Sequence, residues 1–116
     1  MNKRLYPRIK LQLIIFIHTL TQKIPATAID ISEEGLGILV DKEYIDIVPI
    51  TNIVLSYYDG KKMKCVRGVC QYQEERNGQL HMGILIRNPD FADFYRYCLV
   101  FSIKHQTAIV KSPINK

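Results

Sequence analysis

From Ile9 onward apolar residues fall on every second position, at Ile9, Leu11, Leu13, Ile15 and Ile17. That is the period of a strand with one face in a core. Lys10, Gln12 and His18 share the opposite face with Ile14 and Phe16. A second strand is expected from about Ile24 to Ile31, with Pro25 at its start, where a missing N–H does little harm. Leu36, Ile38 and Val40 predict a short third strand whose other face carries Gly37, Leu39 and Asp41. Residues 42–51 show no period that fixes a conformation. A fourth strand is expected over Asn52 to Tyr58 and a fifth from Met63 to about Tyr72. Asp59-Gly60 between them is a two-residue hairpin signal. A polar turn over Gln73 to Gly78 then leads to a sixth strand, in which Leu80, Met82, Ile84 and Ile86 alternate with His81, Gly83, Leu85 and Arg87. Strands four to six read as an antiparallel meander.

The period changes once. Phe91, Phe94, Tyr95, Cys98, Leu99 and Phe101 or Ser102 recur at helical spacing behind Pro89 and Asp90. They predict one helix from Asp90 to about Lys104, with Asp90 as its N-cap and Asp93 in its first turn. The stripe is the core-facing side of an amphipathic helix rather than a cofactor box. The fold class expected is all-β with one C-terminal helix. Short strands separated by frequent turns suggest a sheet closed into a small barrel without open edges, its mouth or side covered by the helix. At 116 residues and 47% apolar content the chain suits one domain. It divides into a flexible basic arm at 1–8, a barrel at 9–87, a helix at 90–104 and a tail at 105–116, with a short extended piece at Thr107 to Val110.

Charge changes this picture in one place. The formal net charge is +5, and residues 1–29 carry Lys3, Arg4, Arg8, Lys10 and Lys23 without an acid, while eleven basic residues balance eleven acidic ones beyond them. The excess is local, which suits an anion site or a solvated basic terminus better than a long nucleic-acid groove. Cys65, Cys70 and Cys98 are odd in number, form no disulfide framework and fit a reducing compartment. His18, His81 and His105 lie far apart, and no metal-ligand spacing is present. No general base and nucleophile stand together, so no enzyme activity is expected.

One stretch imitates a secretion signal: basic residues, the apolar run Leu11 to Leu20, then Ala26-Thr27-Ala28. Gln12 and His18 interrupt that run, its alternation is that of a strand, and it is too short to span a membrane. No transmembrane segment is expected.

Candidate chemistry lies in two stretches. Tyr6-Pro7 favours extended backbone, so Arg4 and Arg8 sit within about 14 Å of each other along an arm. Asp30, Ile31, Ser32, Glu33, Glu34, Gly35 place an acceptor, a hydroxyl and a conformationally free residue between two strands. A carboxylate accepts from two adjacent donors, as on the N1–H and N2–H₂ edge of guanine, and a hydroxyl donates to phosphate. Gly35 permits a positive φ. Arginine pairs bidentately with phosphate or with guanine O6 and N7, and stacks on purines. The same residues also suit a capping box from Asp30 to Glu33 with Ser32 as a turn residue.

Taken together, Arg4-x-x-x-Arg8 followed by Asp30-x-Ser32-x-x-Gly35 and a β meander resembles the PilZ domain family of bacterial receptors for cyclic di-GMP. Pro7 before Arg8 and Met82-Gly83-Ile84 in the sixth strand belong to the resemblance, which runs from Lys3 through the helix. It implies a six-stranded antiparallel β-barrel with a C-terminal helix. The dinucleotide would lie across the outer surface between arm and turn. By the same resemblance Arg4 and Arg8 contact phosphate and the guanine Hoogsteen edge, and Asp30, Ser32 and Gly35 complete the site. Lys3 stands where an Arg is associated with a stacked pair of ligands, so the stoichiometry is open. The implied role is a cytoplasmic receptor that signals in trans to an unidentified protein effector, without a cofactor. A PilZ-like adaptor that does not bind cyclic di-GMP is a second reading. A small barrel binding single-stranded nucleic acid is a third, although a polymeric nucleic acid suits the localised charge poorly.

Overall fold

The computed structural model describes residues 8–33, 35–87 and 89–114, with side chains as far as His105. Six strands, β1 (Ile9–His18), β2 (Lys23–Ser32), β3 (Gly35–Asp41), β4 (Asn52–Tyr58), β5 (Met63–Arg76) and β6 (Gln79–Ile86), precede one helix, α1 (Asp90–Ile114). They pair antiparallel in a closed barrel of order β1-β2-β3-β6-β5-β4. The barrel closes where β1 meets β4, over residues 16–18 and 54–56. The expected arm, including Lys3 and Arg4, lies outside the described residues apart from Arg8.

Alternation sets the inside of the barrel. Leu13, Ile15 and Ile17 of β1 meet Leu36, Ile38 and Val40 of β3 and Met82 and Ile84 of β6 in one continuous core. Removing such side chains from water contributes about 1.5–3 kcal/mol each. α1 closes the mouth near the start of β1, burying Phe94, Tyr95 and Cys98. Phe94 packs against Tyr57 at a ring separation of 4.9 Å, and the Tyr97 hydroxyl donates to the Tyr58 carbonyl at 2.8 Å. Farther along, the Ser102 hydroxyl donates to the Lys10 carbonyl at 3.2 Å, which fixes the helix against β1.

Several expectations are corrected. Asp90 is the first helical residue and does not spend its carboxylate on its own helix: Oδ2 accepts the Arg67 N–H at 3.0 Å and pairs with Arg67 Nε at 3.7 Å, tying α1 to β5. The helix does not end at Lys104, and Thr107 to Val110 is helical rather than extended. With the first turns anchored, adding a helical residue costs little even for β-branched types, and no breaker intervenes before Pro113.

The two hairpins exchange roles. Asp59-Gly60 belongs to a four-residue loop, because Asp59 Oδ1 accepts the N–H groups of Lys61 (2.8 Å) and Lys62 (2.9 Å) and curls the chain further than a two-residue turn would. The two-residue turn is Asn77-Gly78, with φ of 53° and 78°, as the twist-matched hairpin requires. Gln73 to Arg76, expected in a turn, continue β5 against Met82 to Gln79, since ladder bonds are made by backbone whatever the side chains. The segment after β3 opens with a 3-10 turn at Lys42–Tyr44 and inserts Val48 into the core.

Candidate functional site

A single row of paired residues crosses the outer surface of the barrel. Lys10 on β1 faces Asp30 on β2, Asp30 faces Gly37 on β3, Gly37 faces Gly83 on β6, and Gly83 faces Tyr72 on β5. The middle of the row has no side chains, so two strands of bare backbone form a trough. Its flanking residues lean inward. A Cβ on Gly37 would stand 2.7 Å from Asp30 Oδ1, and a Cβ on Gly83 would run into the Tyr72 ring, 2.7 Å from Cδ2.

Asp30 and Tyr72 would both point into the core if their strands kept a strict period of two. A register shift between Ala28 and Asp30 breaks the alternation of β2, and one between Cys70 and Tyr72 breaks that of β5. Each irregularity adds a residue to one strand and turns the next side chain outward. Ala28 and Ile31 are therefore buried on either side of an outward Asp30.

At the end of the trough the chain turns from Ser32 into Gly35, which pair across the hairpin. Gly35 has φ of 137°, a backbone that side chains disfavour, and its missing Cβ would lie 2.7 Å from the Ile84 carbonyl oxygen. The capping-box reading fails here, because Asp30 to Ser32 remain in β2 and no helix follows. Arg8, Asp30, Ser32 and Gly35 line one groove of about 170 Å³ together with Gly37, Gln71, Tyr72 and Gly83. Four of the six residues singled out in the sequence thus come together, and Lys3 and Arg4 lie outside the described residues.

A second cavity of about 520 Å³ opens beside the groove, between α1 and β1–β2, with Asp30 common to both. Its walls are mostly apolar, from Leu11, Ile29 and Phe101, with Lys10, Gln12 and His105 at the rim. His105 stacks on Phe101 at a ring separation of 3.9 Å. The groove alone is below the few hundred Å³ of a site that engulfs a ligand. It suits one base or phosphate group of a ligand lying along the surface.

Chemically the groove joins a guanidinium, a carboxylate, a hydroxyl, a carboxamide and an aromatic face on a backbone floor. That set suits recognition of a nucleotide. Among the described residues no cluster of three metal-ligating side chains occurs. Tyr72 and Gln71 were missed in the sequence: both precede the predicted polar turn, and only the register of β5 on β6 brings them to the site. Gly83 belongs to the Met82-Gly83-Ile84 pattern, which does not report its contact with Tyr72.

The PilZ domain family model matches residues 2–99. No curated protein matches the chain by sequence. Among solved structures, the Bacillus subtilis inhibitor of motility (MotI/DgrA) aligns with a TM-score of 0.60 at 14% identity, over 93% of this chain and 53% of its own. The fold is shared, and the chain spans about half the length of that structure.

Proposed function

Because the chain belongs to the PilZ domain family, whose members are receptor and adaptor domains for cyclic di-GMP signalling, we propose that it binds cyclic di-GMP along the groove and signals in trans to a protein partner. The observation that carries this reading is the convergence of Arg8, Asp30, Ser32 and Gly35 on one glycine-floored groove. Asp30 accepts from N1–H and N2–H₂ of a guanine, and the Ser32 hydroxyl donates to a phosphate oxygen. Arg8, with Arg4 from the preceding segment, pairs with phosphate and with guanine O6 and N7. Lys3 adds positive charge next to Arg4 and makes one ligand or a stacked pair an open choice. Gly35 lets the hairpin close without a side chain over the ligand.

No chemical step is assigned to the chain. The proposed role is that of a cytoplasmic receptor, a reading supported by Cys65, Cys70 and Cys98 as free thiols that fit a reducing compartment. Among the described residues no helix is long and apolar enough to cross a membrane. The test is equilibrium competition: labelled cyclic di-GMP should bind saturably and be displaced by unlabelled cyclic di-GMP but not by cyclic di-AMP or an oligonucleotide. Displacement by the oligonucleotide alone, weakening steeply with salt, would instead mark a single-stranded nucleic-acid module. No binding at all would leave the adaptor reading.

A further inference from the structure

The wall of the barrel opposite the groove, made by β1 and β4 with the first half of β5, is apolar where a barrel exterior should be polar. Ile14, Val54, Tyr58 and Met63 are 60%, 37%, 56% and 46% exposed, and half-buried Phe16 lies among them. The register makes this one surface: His18 and Phe16 on β1 face Val54 and Ser56 on β4, which face Arg67 and Cys65 on β5, while Tyr58 faces Met63. Contiguous exposed apolar area of this kind marks an interaction surface.

Its charge is one-sided. β1, β4, β2 as far as Ile29 and β5 as far as Gln73 contain no Asp or Glu. Lys23 and Arg67 stand at one end of the wall, opposite His18 and Val54 respectively. Lys61, Lys62 and Lys64 stand at the other end, around the loop after Tyr58. The acids nearest the wall are engaged: Asp59 accepts the Lys61 and Lys62 N–H groups and pairs with Lys64 at 3.3 Å, Asp90 is held by Arg67, and Asp93, which lines one pocket with Met63 and Lys64, pairs with Arg96 at 3.6 Å.

We infer that this wall docks a protein partner presenting an apolar centre within an acidic rim. A second copy is disfavoured, because a two-fold arrangement would bring the basic margins against each other. Leu20, fully exposed at the β1–β2 turn, and the basic margins would also meet an anionic bilayer, so that occupant is one of the outcomes of the test below. Since β1/β4 lies across the closed barrel from β3/β6, partner and groove ligand can be held at once. The inference does not depend on the ligand's identity.

The test places the photo-cross-linker p-benzoylphenylalanine at Ile14, Tyr58 or, as a control exposed on α1, Leu99 of the full chain in cells that make it. A partner captured from Ile14 and Tyr58 but not Leu99 is identified, purified and titrated with the chain. Affinity should fall about tenfold or more in Arg67→Glu and in Lys23→Glu, and recover when an acid in the cross-linked patch of the partner is reversed to Lys. Lys23→Glu keeps the test independent of the Arg67–Asp90 pair, and both variants should bind cyclic di-GMP as wild type does. An adduct of two copies of this chain, binding of wild type to phosphatidylglycerol vesicles, a partner indifferent to both reversals, or no adduct at either wall position overturns the inference.

Discussion

The Asp30 carboxylate lies over Gly37 on the neighbouring strand, with Oδ1 2.7 Å from where a Cβ on Gly37 would stand. Other atoms leave that position room: the next nearest are Asp30 Cγ at 3.4 Å and Ile29 Cγ1 at 3.6 Å. Gly37→Ala should therefore keep the barrel and displace one side chain. Losing one charge-assisted hydrogen bond costs about 1.5–3 kcal/mol, or roughly ten- to a hundred-fold in affinity for cyclic di-GMP. Thermal melting checks that the fold is retained, and unchanged affinity would remove Asp30 from the ligand.

Asp30 itself should govern the choice of base. Asp30→Ala is expected to erode the preference for cyclic di-GMP over cyclic di-AMP as well as weaken binding. Asp30→Asn should do less harm, because the amide oxygen still accepts one hydrogen bond while its NH₂ opposes a guanine donor. Competition titrations with the two dinucleotides measure both effects, and undiminished discrimination in Asp30→Ala would refute the guanine-reading role.

Tyr72 is 56% exposed and its ring lies on Gly83, on the far side of the trough from Asp30. Stacking of a base on an aromatic ring is worth about 1–3 kcal/mol. Tyr72→Ala should weaken cyclic di-GMP binding by that amount and Tyr72→Phe by little, as isothermal titration would show. Equal losses in both variants would point to the hydroxyl instead of the ring.

Burial at the helix–barrel contact makes the fold sensitive to alkali. It pushes the Cys98 thiol from 9.0 up to about 12. The Tyr57 hydroxyl is also raised to about 12, first by burial and then by the charge of Asp93. Both groups are favoured neutral in the folded chain, so their contribution is fully present below their unfolded values and is lost as pH climbs through 9 toward about 12. Melting temperature should decline over that window, and less steeply in Cys98→Ala. Iodoacetamide at pH 8 should modify exposed Cys65 in the native protein and reach Cys98 only on unfolding, which intact-mass analysis resolves.

The parts legible in the sequence are those that local pattern determines. β1 and β4 run over the residues that alternation predicts, and the stripe carrying Phe94, Tyr95 and Cys98 is the buried face of α1. The short spacing of Asp30, Ser32 and Gly35 keeps them together under any pairing of β2 with β3. What pairing alone decides was hidden. Tyr72 reaches the trough through an irregularity beside Gln71, and alternation by itself would have sent Asp30 inward. The Asp59 loop was misread because its carboxylate captures two backbone donors, an outcome that depends on the residues after Gly60. Polar Gln73 to Arg76 hid the end of β5, which is held by ladder bonds that no side chain reports.

The central claim is that this groove holds cyclic di-GMP, and calorimetric titration of the full chain tests it most directly. Arg8 lines the groove just before β1, outside the core, so Arg8→Ala should fold as wild type does. Wild type should give a saturable heat with cyclic di-GMP and a definite stoichiometry. Arg8→Ala should bind roughly ten- to a hundred-fold more weakly, the equivalent of one lost charge-assisted bond. No heat from the folded wild-type chain, or equal affinity in the two proteins, would contradict the account.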